Sequence, residues 1–147
     1  MRDCWQVAAA NLDLDFSKGK NLYADKITGT LEGYPIAIYN EFNFDVQRLV
    51  TLIWVGSKGA VPSSTNLSRQ QLLVEYDNSL EKSGAVPVAF LSEEERAWFL
   101  GHRYGVGTEM VAGDLIYRQH YGMTSAEEIV LVAKAMVLTI RQLAWQN

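Results

Sequence analysis

The C-terminal segment of the chain carries apolar residues on two opposite sides of a predicted helix. The main stripe repeats with the three-and-four spacing of a helix that packs on a core. It consists of Ile129, Val132, Ala133, Met136, Ile140, Leu143 and Ala144. Nearly opposite, at about 100° per residue, a second stripe spaced by sevens consists of Leu131, Leu138 and Trp145. A helix that is apolar on two sides is expected to lie between a sheet and either another helix of the chain or another protein molecule.

The length and composition of the chain predict a single domain over residues 1–147. The chain has 147 residues, and 48% of them are apolar, which is enough for a core without disulfides or metals. Its formal net charge is −4, with acidic and basic residues interspersed. Because nucleic acid binding needs concentrated positive charge, we expect no nucleic-acid partner.

No segment of the sequence predicts export or membrane insertion. The start lacks the combination of a basic region, an apolar run and a small-residue cleavage site. The longest apolar stretch, near Ile129 to Ile140, is too short to span a bilayer and contains Lys134. Cys4 is the only cysteine, so an intrachain disulfide cannot form. We therefore expect a cytoplasmic protein with no membrane partner.

The first part of the chain predicts a short helix followed by strands. Trp5, Ala8, Ala9 and Leu12 share one helical face, and the period then changes to two as Leu14 and Phe16 alternate with Asp13 and Asp15. The segments 26–31 and 34–39 flank Glu32-Gly33, which predicts a hairpin with Pro35 near the start of its second strand. Leu49 to Val55 is apolar on both alternating sets, which predicts a central strand.

The second part of the chain predicts further strands between helices. After a loop over 57–68, Leu72–Tyr76 and Val86–Leu91 are strand candidates, and Ser92 begins a short helix that ends near Gly101. A second hairpin is predicted from 109–112 and 115–121 around Gly113-Asp114, and Thr124 or Ser125, with Glu127 or Glu128, should cap the final helix. We therefore predict an α+β fold: an antiparallel meander sheet with N-terminal, short middle and long C-terminal helices on one face.

The familiar catalytic and cofactor motifs do not occur in this sequence. It has no phosphate-binding Gly-x-x-x-x-Gly-Lys-[Ser/Thr] loop, no Gly-x-Ser-x-Gly elbow, no His-Glu-x-x-His helix and no Cys-x-x-Cys pair. Asp13 and Asp15 would share a strand face and could hold a cation, but clean alternation favours the solvated side of an edge strand. We expect no cofactor and no dedicated metal site, and the residue types leave catalysis undecided.

The polar residues that best suit a ligand site lie on a glycine-bracketed loop. Residues 101–107 present His102, Arg103 and Tyr104, and His120 lies on a predicted strand nearby in the chain. Loops of this kind often carry function, although a helix stop followed by a solvated turn gives the same pattern. These four residues form the alternative site, for a small molecule or a substrate.

The N-terminal third of the chain resembles some uncharacterised bacterial α+β proteins. The resemblance is carried by Trp5-x-x-Ala8-Ala9-x-x-Leu12-x-Leu14-x-Phe16, followed by Ile27-x-Gly29-x-x-x-Gly33-x-x-Ile36-x-Ile38. It implies a bacterial, non-exported protein with a short helix that leads into a meander. It carries over no catalytic residue.

Two functional hypotheses follow from these patterns. The leading one is a non-enzymatic interaction or self-associating domain that docks through Leu131, Leu138 and Trp145, as a homo-oligomer or with a protein partner. The alternative is a ligand-binding protein or enzyme with its pocket near the loop residues named above. An interaction domain predicts an apolar patch on the last helix, whereas ligand binding predicts a concave polar site.

Overall fold

The computed structural model describes residues 2–21, 24–44, 47–83, 107–119, 122–123 and 125–144 of the chain. These residues form three helices and six strands in an α+β arrangement. In chain order they are α1 (Arg2–Leu12), β1 (Asp15–Ser17), β2 (Lys26–Leu31), β3 (Tyr34–Asn43), β4 (Arg48–Val55), α2 (Arg69–Ser83), β5 (Gly107–Val111), β6 (Asp114–Gln119) and α3 (Ala126–Ala144). The predicted strand Val86–Leu91 and the helix from Ser92 to Gly101 lie outside the described residues.

The six strands form one antiparallel sheet in the order β1-β2-β3-β4-β6-β5. The predicted first hairpin is confirmed: Leu31 pairs with Tyr34 across Glu32 and Gly33, whose φ values of 51° and 91° are those of a type I′ turn. Pro35 is the second residue of β3. β4 pairs with β3 on one side and β6 on the other, as its two apolar sets predicted.

The second hairpin exists, but its turn was predicted one residue too late. Val111 pairs with Asp114, so the turn residues are Ala112 and Gly113, with φ values of 51° and 82°. A Cβ on Gly113 would lie 2.7 Å from the carbonyl oxygen of Val61. This close approach requires glycine at the second turn position. Asp114 is the first residue of β6 and accepts a hydrogen bond from the Ser57 amide at 3.0 Å.

The prediction of a strand over Leu72–Tyr76 was wrong, because these residues belong to α2. A capping box starts the helix: the Ser68 amide donates to Gln71 Oε1 at 2.8 Å, and the Gln71 amide donates to Ser68 Oγ at 3.3 Å. Leu72, Tyr76 and Ser79 are fully buried. Their spacing of four and three residues is helical, and the mixture of apolar and polar residues between them concealed it.

The predicted pairing of the Asp13 and Asp15 carboxylates on one strand face was also wrong. Asp13 has a left-handed φ of 55° and ends α1. The Asp13 amide donates to Ala10 O at 3.2 Å, and the Leu14 amide donates to Ala9 O at 2.8 Å, which is the Schellman arrangement. Only Asp15 enters β1. Asp13 is therefore part of a helix stop, which replaces the strand alternation inferred from the sequence.

All three helices cover the same face of the sheet. The helix α1 contacts β1 and β2, α3 contacts β4 and β6, and α2 contacts β5, while α3 also contacts α1 and α2. The three helices therefore lie side by side with α3 in the middle. The core between the two layers includes Trp5, Ile38, Ile53, Tyr117 and Met136. Each of these five side chains is at most 1% exposed.

Three hydrogen bonds fix the start of α3. Ser125 Oγ accepts a hydrogen bond from the Glu128 amide at 3.3 Å, which confirms Ser125 as a capping residue. The other predicted cap, Thr124, lies outside the described residues. Met123, just before the cap, donates its amide to Thr51 Oγ1 and accepts from Trp5 Nε1, both at 2.8 Å. The start of α3 is thus held by β4 and by α1.

Candidate functional site

The side of α3 that faces the sheet is the main stripe predicted from the sequence. Six of its seven residues are buried: Ile129, Val132, Ala133, Met136, Ile140 and Leu143. Ala144, the last of the stripe, is partly buried and packs against the core. This stripe is the side of the helix that packs against the core.

The flanks of α3 are buried as well, which the two-stripe pattern did not reveal. Ala135, Val137, Thr139 and Gln142 are all buried. Gln142 Nε2 donates to the Ser79 carbonyl oxygen of α2 at 3.1 Å, and Thr139 Oγ1 donates to Ala135 O at 2.8 Å. A helix with neighbours on both flanks and a sheet beneath it has only a narrow side that faces away from the sheet.

That remaining side, which we name the outward strip, repeats every three or four residues along α3. It consists of Glu127, Leu131, Lys134, Leu138 and Arg141. Glu127 and Lys134 are exposed, and Leu131, Leu138 and Arg141 are partly buried. Leu138 also packs against the edge of the core. The two leucines of the predicted second stripe therefore lie on the outward strip, whereas Trp145 lies outside the described residues.

The charges of the outward strip are unevenly distributed along it. Glu127 lies in the first turn of α3 and Arg141 in the last turn, where each complements the helix dipole. Arg141 Nη1 forms an ion pair at 3.0 Å with Glu32 Oε2 of the β2–β3 turn. The side chains of Arg141 and Glu32 are 39% and 56% exposed, so the contact contributes little to stability and can be exchanged for another. Sequence reasoning missed these flanking charges because it followed apolar spacing alone.

The described residues also form a polar cleft beside β5, the last strand in the order of the sheet. It has a volume of about 260 Å³ and is lined by Arg69, Gly107, Thr108, Glu109 and Arg118. Arg118 forms an ion pair with Glu109 across the β5–β6 hairpin. The four residues of the alternative site, His102, Arg103, Tyr104 and His120, lie outside the described residues. The cleft is nevertheless close to them in the chain, because Gly107 ends the predicted loop and Arg118 precedes His120 by two residues.

Two exposed phenylalanines lie in contact at the end of the β3–β4 hairpin. The sequence did not lead us to predict them as a surface feature. Phe44 is 82% exposed and Phe42 is 47% exposed. Their ring centroids lie 5.0 Å apart at an interplanar angle of 73°, an edge-to-face contact. The available signal was the pair of aromatic residues separated by one position, just beyond the predicted strand.

Among the described residues, the titratable groups with altered pKa values, Arg2, Cys4 and Asp25, lie on α1 or in contact with it. The Arg2 guanidinium, which donates to the buried Asp25 carboxylate at 2.8 and 3.0 Å, holds the pKa of Asp25 below its ordinary value. A bond from the Gly19 amide acts in the same direction. Burial raises the pKa of the Cys4 thiol. A raised pKa disfavours the thiolate, which is the reactive form of a cysteine side chain.

The described residues contain neither a membrane-spanning helix nor a cluster of metal-binding side chains. No helix among them is both long and apolar enough to cross a membrane. No three or more of their His, Cys, Asp and Glu side chains are grouped so that they could hold a metal ion. In comparisons with known proteins, no family model, no curated protein and no solved structure matches the chain.

Proposed function

We propose that this chain is a non-enzymatic interaction domain that docks a protein through the outward strip of α3. The observation that supports the proposal most directly is that Leu131 and Leu138 are only partly buried and share a side of α3 with the exposed Glu127 and Lys134. Leucine in the centre of a strip and charge at its two ends form the usual pattern of a protein interface, with an apolar middle and a polar rim. Trp145 would extend the same strip by one more heptad.

The flanking charges favour a specific partner over nonspecific apolar adhesion. A surface of two leucines without nearby charges would associate in many orientations, whereas Glu127 and Arg141 penalise orientations that place like charges together. Lys134 between the leucines also limits the continuous apolar area. These features suit a reversible contact with one preferred geometry.

Photo-crosslinking from the outward strip tests this proposal. A photoreactive phenylalanine analogue would be placed at Leu131 in cells that express the chain, with the same analogue at Val74 as the matched control, because Val74 is a 57% exposed apolar residue on α2. We expect discrete adducts from position 131 and none from position 74. Equal labelling at the two positions, or no adduct at 131, would contradict docking through this strip.

The polar cleft beside β5 supports the second candidate, a small-ligand site. Two arginines beside one glutamate suit a ligand that carries a carboxylate or phosphate group. Its test is a thermal-shift screen of small acids and phosphate esters on the native chain and on Arg118→Gln, with Arg48→Gln as an exposed control. A ligand that stabilises the native chain and the control, but not Arg118→Gln, would support this candidate. No stabilisation of the native chain by any of these compounds would remove it.

A further inference from the structure

We propose that the partner of the outward strip is a second copy of the same chain, packed antiparallel so that the two α3 helices are related by a two-fold axis. This inference rests on the proposed function and adds the partner and its orientation. It follows from the order of residues along the strip.

The two leucines are placed symmetrically about the middle of the helix. Leu131 and Leu138 each lie three and a half residues from the midpoint between Lys134 and Ala135, which is about 5 Å along the axis at 1.5 Å per residue. When an antiparallel copy is centred on this midpoint, Leu131 of one chain comes level with Leu138 of the other. The same contact occurs twice, as a two-fold interface requires.

The charges at the two ends complement each other in the same arrangement. Glu127 lies seven and a half residues before the midpoint and Arg141 six and a half residues after it, so they come within about 1.5 Å of each other along the axis. Each end of the interface therefore brings one carboxylate beside one guanidinium. A parallel copy would instead place Glu127 beside Glu127 and Arg141 beside Arg141. Charge complementarity thus selects a second copy in the antiparallel orientation.

Two features limit the strength of this contact. A helix of 19 residues is about 28 Å long, and one helical strip of that length buries less than the roughly 800 Å² per partner of a standard interface. The two Lys134 side chains also lie near the axis, although long side chains can extend away from each other into solvent. We therefore expect a dimer that dissociates in the micromolar range or above.

Disulfide trapping tests the partner and the orientation together. In a Cys4→Ser background, a chain with Leu131→Cys is mixed with a chain with Leu138→Cys under mild oxidation. In the antiparallel dimer, positions 131 and 138 of different chains are level, whereas two 131 positions are separated by about 10 Å along the axes, which is beyond the reach of a disulfide. Random collision of equal amounts of the two chains would give as much mixed product as the two homodimeric products together. We expect the mixed 131–138 product to exceed the sum of the two homodimeric products clearly. Val7→Cys on α1, a 50% exposed position, is the matched control, and its yield of disulfide-linked chains gives the background from random collision.

The possible products separate failure of this inference from failure of the proposed function. An excess of 131–131 and 138–138 products would overturn the antiparallel orientation. Trapping no greater than in the Val7→Cys control, together with crosslinks from position 131 to a different protein, would overturn the second copy while the docking surface stands. Neither trapping nor crosslinks would remove both.

Charge reversal provides an independent measurement on the protein without engineered cysteines. Glu127→Lys should weaken the dimer roughly tenfold, because two pairs per dimer become repulsive. Adding Arg141→Glu to the same chain should restore much of the loss, with the dissociation constant measured by sedimentation equilibrium. Glu32→Gln is the control, since it removes the intrachain partner of Arg141 and should not weaken the dimer. Equal weakening by the single and double variants would contradict the pairing of Glu127 with Arg141.

Discussion

The inner side of α3 and its outward strip both carry apolar residues at helical spacing, but their surroundings differ. Met136, on the inner side, is fully buried between the sheet and the neighbouring helices, whereas Leu131, on the strip, is only partly buried and lies between the exposed Glu127 and Lys134. Spacing therefore tells which residues share a side of a helix. It does not tell whether that side is covered by the same chain, by another molecule or by water.

The largest expected difference between the two sides comes from Met136→Asp. A carboxylate at this position would be buried without a partner, which costs several kcal/mol and approaches the total stability of about 5–15 kcal/mol for such a domain. We expect the variant to be unfolded or close to unfolding at room temperature. Circular dichroism with urea denaturation measures this, and a chain that keeps most of its native stability would contradict the assignment of Met136 to the core.

A substitution on the flank of α3 should also lower the free energy of unfolding, but by less than a substitution on the inner side. Gln142→Ala removes the hydrogen bond to the Ser79 carbonyl oxygen and leaves that buried acceptor without this donor. We expect a loss of about 1–3 kcal/mol in the free energy of unfolding, without a change in association. Lys134→Ala, on the exposed side of the same helix, is the control and should leave the stability nearly unchanged. A loss of stability no larger than that of the control would show that the flank, like the outward strip, contributes little to folding.

Acid should weaken the attachment of α1 to the start of β2, which depends on the ion pair between Arg2 and Asp25. The folded-state pKa of Asp25 is lowered by Arg2, so its stabilisation is fully present above the pKa of the unfolded chain and is lost as the pH falls through the folded-state value. Asp25→Asn should lose about 1 kcal/mol at neutral pH. The difference from the native chain should shrink in acid, as measured by urea unfolding at several pH values. A difference that is constant with pH would show that the ion pair is not its source.

The smallest effect on folding is expected from Leu131→Asp. Leu131 is only partly buried and lies between the exposed Glu127 and Lys134, so the free energy of unfolding should fall by much less than in Met136→Asp. Association should fall sharply, since the same change puts a charge at the centre of the interface. The comparison with Met136→Asp is made at a concentration where both variants are monomeric. Equal destabilisation by the two variants would show that the two sides of α3 are equally buried within one chain.

Much of the architecture could be predicted from local patterns. The face of α1, the turn at Glu32-Gly33, the central position of β4 and the cap at Ser125 each depend on residues close together in the sequence. The helix α2 was missed because its few buried residues are separated by polar ones, although Ser68 and Gln71 already formed a capping-box signal. The turn at Gly113 was misplaced because the reason for glycine there is a contact with Val61, which is distant in the chain.

The candidate site was only half predictable for a similar reason. Apolar spacing identified Leu131 and Leu138. The charges at the two ends, Glu127 and Arg141, were not predicted, because the structure was needed to show that they share one side of α3 with the leucines. The arginines of the polar cleft come from α2 and β6, and the misassignment of α2 as a strand hid their proximity. Long-range packing of this kind is not encoded in the period of any single segment.

Sedimentation velocity of the native chain and Leu131→Asp over a wide concentration range tests the central claim most directly. The claim is that one side of α3 builds the fold while the outward strip serves association. We predict that the sedimentation coefficient of the native chain rises from the monomer value to the dimer value with concentration, while Leu131→Asp remains a folded monomer throughout. A native chain that stays monomeric up to the millimolar range, or a Leu131→Asp chain that dimerises with unchanged affinity, would contradict the claim.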